Sequence, residues 1–277
     1  MSAPKRIKNR AALILQILES QGAASYETLA QRLHVSTMTA RRDCDELAKS
    51  GKIIKTIGGV QQAQAQPFLY ENAVGERIAT NQDEKRVIAA KALSLIKNNQ
   101  IIFLDGGTTN LFLAKLIATQ RAGLTIVTNS ALTCLESSKG QNTIIGIGGE
   151  YDPLTLSFVG PHAEEAARTL FVDQAFFTTK AFLPTAGTFE SAIGAFRIKQ
   201  IMAERAVEAV LLVDHTKFGQ RALSKVLDIS QIHHVVTDNL GGHTSSCTAA
   251  DVAVLRRAGI RVHLGTAENT YVPATNS

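Results

Sequence analysis

Residues 36–47, STMTARRDCDEL, read as one short helix, and the fold of the N-terminal part follows from them. Ser36 is a good N-cap, because its hydroxyl oxygen accepts a backbone N–H that the first turn leaves unpaired. Ala40, Cys44 and Leu47 fall at i, i+4 and i+7 and mark an inward face. Thr37, Met38, Thr39, Arg41 and Arg42 then lie outward. Small polar groups beside adjacent arginines suit a helix in the DNA major groove. Arginine forks onto guanine O6 and N7 or onto phosphate, while threonine and methionine meet base edges and methyl groups. An ordinary solvated helix carries arginines too, so the neighbouring sequence decides between the two.

Upstream, residues 10–20 (RAALILQILES) place Leu13, Ile14, Ile17 and Leu18 at helical spacing, and Gly22 marks the end. Ser25 is placed to cap a second helix over residues 26–33, with Leu29 and Leu33 inward. His34 and Val35 make the tight turn into the third helix. Downstream of Gly51, KIIKTIGGV alternates around Lys52 and Lys55 and reads as two short strands, a basic wing. Three helices and a wing make a winged helix-turn-helix, with residues 37–47 as recognition helix. Residues 1–60 hold ten Lys and Arg against five Asp and Glu, whereas residues 61–277 hold nineteen of each. The chain's whole excess of +5 therefore sits in the first 60 residues, which points to a polyanionic partner, double-stranded DNA.

For 277 residues, 45% apolar and 19% charged, two globular domains are expected. We expect residues 1–60 to form the DNA-binding domain, 61–81 a Gln- and Ala-rich linker, and 82–277 a second domain. Within the linker, Phe68, Leu69 and Tyr70 are expected to dock on a neighbour. No apolar run of about 18 residues exists, and no apolar stretch with a cleavage site follows the basic start, so a cytoplasmic protein is expected. Cys44, Cys134 and Cys247 are scattered, without metal-ligand spacing. No metal or cofactor is expected.

From Asp83 helix and strand alternate. A helix over residues 83–98 precedes apolar runs at 101–105, 124–129, 142–149, 173–179, 209–214, 233–238 and 261–265. Helical patterns at 110–119, 162–170, 198–207 and 249–258 lie between them. Such runs predict a mostly parallel sheet covered on both faces, which binds ligands at the C-terminal strand ends. Those ends are rich in small polar residues. They are Asp105-Gly106-Gly107-Thr108-Thr109, Thr128-Asn129-Ser130, Gly148-Gly149-Glu150, and Asp214 with Lys217. Glycine lets backbone N–H groups approach an anion, and a helix N-terminus favours negative charge. A phosphorylated small molecule is the expected ligand. No P-loop run is present.

These motifs, in this order and spacing, resemble the DeoR family of bacterial transcriptional regulators. LAQRLHVSTMTARRDCDELAKSGKIIKTIGGV looks like its DNA-binding head. EKRVIAAKA, IIFLDGGTTN, VTNS, GGE, FVGPHAEEA and LLVDHTKFGQRAL look like its sensor domain. The resemblance implies an α/β protein, a winged helix-turn-helix joined to a sensor similar to ribose-5-phosphate isomerase. It further implies an oligomeric repressor of sugar catabolism induced by a phosphorylated sugar. Cys44 stands where leucine is common. Thr178-Thr179-Lys180-Ala181 replaces a Gly-Ala-Asp-Gly-type segment, so Lys180 joins the expected effector residues in place of an acid. SAIGAFRIKQ (191–200) keeps only Lys199 of the stretch that usually follows. The alternative is a sugar-phosphate isomerase carrying a DNA-binding head, with Asp105, Glu150 or Asp214 as general base. An activator differs from a repressor only in promoter geometry.

Overall fold

The computed structural model describes residues 10–18, 23–49, 53–56, 59–62, 74–191, 193–238 and 247–266. The chain divides into two units, Met1–Pro67 and Phe68–Ser277.

In the first unit residues 10–18 form helix α1, followed by strand β1 (Ala23–Ser25), α2 (Tyr26–Leu33), α3 (Thr37–Lys49), β2 (Ile53–Thr56) and β3 (Gly59–Gln62). Ser25 Oγ accepts the Thr28 amide at 3.1 Å and caps α2. His34 ends that helix at φ 51°, with its amide on Ala30 and Gln31 carbonyls. Ile14, Ile17, Leu18, Leu29, Leu33, Ala40, Cys44, Leu47, Ile53 and Val60 make one core. Leu13, expected inward, is exposed. The buried arc of α1 centres on Ile14 and Leu18, and a residue one step before Ile14 falls beyond its edge. The wing has a third strand: β3 pairs with β2 on one side and with β1 on the other, both antiparallel. Three residues, Ala-Ala-Ser, carry no periodicity that would reveal β1. Gly22, Gly51, Lys52 and residues 68–70 lie outside the described residues.

The second unit opens with α4 (Val74–Ala79) and α5 (Gln82–Leu93). Residues 74–79 of the stretch expected as linker are therefore helical, and α5 stops earlier than residue 98. There follow β4 (Ile101–Leu104), α6 (Thr108–Gln120), β5 (Ala122–Thr128), α7 (Ala131–Ser137), β6 (Gln141–Gly146), β7 (Glu150–Asp152), β8 (Ser157–Val159), α8 (Pro161–Arg168) and β9 (Val172–Thr178). The rest are β10 (Ala181–Leu183), β11 (Gly187–Glu190), α9 (Ile193–Glu204), β12 (Ala206–Leu212), β13 (Ser224–Asp228), β14 (His234–Asp238), α10 (Ala249–Arg257) and β15 (Arg261–Gly265). Seven strands form one sheet in the order β15-β14-β12-β9-β4-β5-β6, every pair parallel. Side chains alternate between its faces. Ile102, Leu104, Ile126, Phe176, Val210 and Val236 meet α5 and α6. Phe103, Val127, Ala175, Phe177, Leu211 and Val235 meet α8, α9 and α10. The hairpin β7–β8 and the antiparallel sheet β10-β11-β13, neither legible from the apolar runs, are added to this layer structure. Strand order reverses between β4 and β9, so the crevice at their C-terminal ends is the topological switch point.

Candidate functional site

In the first unit α3 presents one polar face. Ser36 Oγ accepts the Thr39 amide at 3.2 Å, so the helix starts where its sequence says it should. Ala40, Cys44 and Leu47 are buried, while Thr37, Met38, Arg41 and Arg42 are exposed, Met38 to 81%. Thr39 is half-buried. The Arg41 guanidinium lies over the Tyr26 ring, 5.4 Å from its centroid, which holds the side chain in place without neutralising it. Lys55 of β2 is not free: it pairs with Asp45 of α3 at 2.6 Å and fastens the wing to the helix. Arg10 and Asp43 make a second pair at 2.6 Å, joining α1 to α3.

In the second unit the expected effector loops follow β6, β5, β4, β9 and β12, five consecutive strands of the sheet, and so share one edge. Asp105 is buried at the end of β4. Its Oδ1 accepts from the Gly107 amide (2.9 Å), Asn110 Nδ2 (2.8 Å) and Thr178 Oγ1 (2.9 Å), and its Oδ2 from the Thr178 amide (2.8 Å). The Lys199 ammonium stands 3.1 Å from Oδ2 and 2.5 Å from Glu190 Oε1, and donates to Thr178 O at 2.8 Å. Burial alone would lower the lysine pKa, but Asp105 and Glu190 outweigh it and hold it above the ordinary value. This carboxylate is fully engaged in tying β4 to β9 across the switch point. In this arrangement the side chain expected among the effector residues holds the rim together from beneath.

The glycines beside it also have another reason. A Cβ on Gly107 would lie 2.5 Å from Thr178 Cβ, and one on Gly106 would strike Ser157 Oγ. Both exist to admit neighbouring side chains. Gly107 is the N-cap of α6 and offers no side-chain cap, and Thr108 and Thr109 open that 13-residue helix. Thr128 Oγ1 is spent on Leu104 O (2.6 Å) and on the Ser130 amide (3.1 Å), and Ser130 Oγ caps α7 by accepting the Thr133 amide. Asn129 Nδ2 donates to Phe158 O at 3.0 Å, and its buried Oδ1 has no donor among the described residues. Gly148 and Gly149 are exposed, and Gly148 faces open space. Lys180 is half-buried after β9. After β12, Asp214 Oδ1 accepts the Thr216 amide at 3.0 Å and caps a short turn that carries Lys217, itself half-buried. His215 is held by Asp238 through Nδ1 and Oδ2 at 2.7 Å.

Tyr26, Ser157, Glu190 and Asp238 were not singled out from the sequence. Their partners are 9 to 51 residues away, beyond any local spacing rule. Among the described residues no group of three acidic, histidine or cysteine side chains is placed to hold a metal ion, and no helix is long and apolar enough to cross a membrane.

Comparison with known proteins matches residues 10–66 to the DeoR-like helix-turn-helix domain and residues 80–239 to the DeoR C terminal sensor domain. The chain is 33% identical to the HTH-type transcriptional regulator IolR of Bacillus subtilis, over 79% of this chain and 86% of that one. It is 32% identical to the lactose phosphotransferase system repressor of Lactococcus lactis, over 84% and 91%. Ribose 5 phosphate isomerase A of Neisseria gonorrhoeae shares 17% identity over 51% of this chain and 56% of its own, at a TM-score of 0.39.

Proposed function

The chain belongs to the DeoR family and is a DNA-binding transcriptional regulator, not an enzyme, and from that premise we propose that it represses a carbohydrate-catabolism operon until a phosphorylated sugar releases it. The observation that carries the effector class is the rim of five polar loops at adjacent C-terminal strand ends of the parallel sheet. At its centre the N-terminus of α6 is uncapped by any side chain, with Thr108 and Thr109 in the first turn. Backbone N–H groups and the helix dipole favour an anion there. Lys180 and Lys217 add cations to the flanking loops. Gly148, with open space before it, leaves room for the rest of the ligand. Thr37, Met38, Arg41 and Arg42 face the operator, which the protein grips as a cytoplasmic homodimer or tetramer. A sugar phosphate shifts the equilibrium between binding and released states only by its differential affinity for the two.

The test is a thermal-shift panel of phosphorylated sugars beside their unphosphorylated parents. A ligand that binds the native state raises Tm, by an amount set by its concentration over Kd. One phosphorylated member should raise Tm while its parent sugar does not. Equal shifts from both would remove phosphate from the recognition, and no shift from any member would remove the effector class.

A further inference from the structure

The helix α4 is the first element of the second unit, and the chain reaches it from β3 through residues 63–73. Six residues are too few for a helix to hold itself in water. The turn of the β7–β8 hairpin holds it at one end and the rim loop after β12 at the other. At its start the Val74 amide donates to Leu154 O at 3.2 Å, and the Val74 side chain is buried. Leu154 lies between β7 and β8, and Ser157 of β8 fills the space beside Gly106 and bridges to Ser130. Beyond its end, Asn81 Nδ2 donates to Asp214 Oδ1 at 3.4 Å and to Thr216 Oγ1 at 3.3 Å.

Asn81 occupies the N-cap position of α5 at φ 50° yet makes no capping bond. Asparagine tolerates this left-handed conformation better than most residues. Its side chain is thus given to a loop more than a hundred residues away and not to its own helix. One turn on, Lys85 is 5% exposed, and its ammonium donates to the carbonyls of Arg77 and Thr80, closing the last turn of α4. The Asp214 carboxylate favours that buried charge, while Lys217 and Arg77 oppose it.

We propose that α4 is a strap across the effector rim, tied by Asn81 and Lys85, which passes the state of the Asp214 and β7–β8 loops to the segment arriving from the DNA-binding unit. The proposal rests on reading that rim as the effector site, and the experiment separates the two.

Amide hydrogen exchange of the full chain reads the strap directly, because local opening sets the rate. Without ligand, Asn81→Gly keeps the left-handed backbone free of strain, and Lys85→Met keeps the bulk of the stem. Each should speed exchange of the 75–80 amides by about tenfold and leave β4 and β9 unchanged. Asp214→Asn, which removes the carboxylate at the rim end of the Asn81 and Lys85 ties, should do the same to α4. Unchanged α4 exchange in Asp214→Asn, or in both strap variants, overturns the proposal. Inorganic phosphate is then added as probe. If it raises Tm, exchange at 75–80 should change by about threefold or more in the wild type and not in Asn81→Gly. A raised Tm with unchanged α4 overturns the strap. An unmoved Tm counts against the phosphate site alone, and the ligand-free variants still decide the strap.

Discussion

Gly107 and Gly148 close neighbouring parts of the same rim for different physical reasons. Gly107 has an ordinary extended φ of −84°, so its backbone would accept any residue, but the place of a Cβ is taken by Thr178. Gly148 has nothing within 4 Å of that place. Overpacking a buried site costs about 1–3 kcal/mol, whereas an exposed substitution stays within about 0.5 kcal/mol. Gly107→Ala should therefore lower stability in urea by about 1–3 kcal/mol and separate β4 from β9 at their ends. Gly148→Ala should leave stability unchanged and, by narrowing the open side, weaken binding of the effector. Equal stability of the two variants would show that Thr178 yields freely. The sequence contained the Gly-Gly pair at the right strand end but not what fills the space beside it. Thr178 is 71 residues away, and only the pairing of β4 with β9 brings the two together.

At the scale of elements, α3 was the most legible part of the chain, because every determinant is local. The cap at Ser36, the inward faces of Ala40, Cys44 and Leu47, and the outward arginines all follow from spacing within twelve residues. The seven strands of the parallel sheet were legible too, since the central ones, buried on both faces, read as continuous apolar runs and the edge strands keep enough apolar residues to follow them. The strand β1, the hairpin β7–β8 and the sheet β10-β11-β13 were not, being three to five residues each and fixed by their partners. The outward face of α3 yields a direct prediction. Arg41→Ala with Arg42→Ala should leave the thermal transition intact, because both side chains are exposed. Each lost base contact costs about 1–3 kcal/mol of operator discrimination. If instead both contact phosphate, the slope of log affinity against log salt should fall by about 0.9 per contact and non-specific binding should weaken equally. Binding is measured on a genomic fragment selected by the wild-type protein. Wild-type affinity and slope together would remove α3 from the DNA interface. Lys55→Ala should loosen the attachment of the wing to α3 while changing overall stability little, because the pair it removes is solvent-screened.

At the scale of the molecule, buried titratable groups set the alkaline stability of the second unit. Burial lowers the Lys85 pKa to about 8, partly offset by Asp214. In the unfolded chain lysine titrates near 10.4. Between those values the unfolded state binds more protons than the folded one, so this lysine makes stability rise with pH, at about 1.4 kcal/mol per pH unit once fully deprotonated in the fold. Two thiols work the other way. Burial raises the Cys134 pKa, and burial followed by Asp251 and Asp238 raises Cys247 to about 12. Above an unfolded thiol pKa of about 8.5 the folded unit keeps these protons while the unfolded chain releases them, so stability falls. One group then opposes two. Urea-unfolding stability of the second unit should rise slightly up to about pH 8, turn over there and decline beyond it. Lys85→Met should abolish the rise and start the decline at once. Cys134→Ala with Cys247→Ala should remove the decline and let stability climb to about pH 10, where unfolded lysine begins to lose its own proton. A Lys85→Met profile parallel to the wild type would show that Lys85 keeps an ordinary affinity for its proton, and that the carbonyls of Arg77 and Thr80 balance its burial.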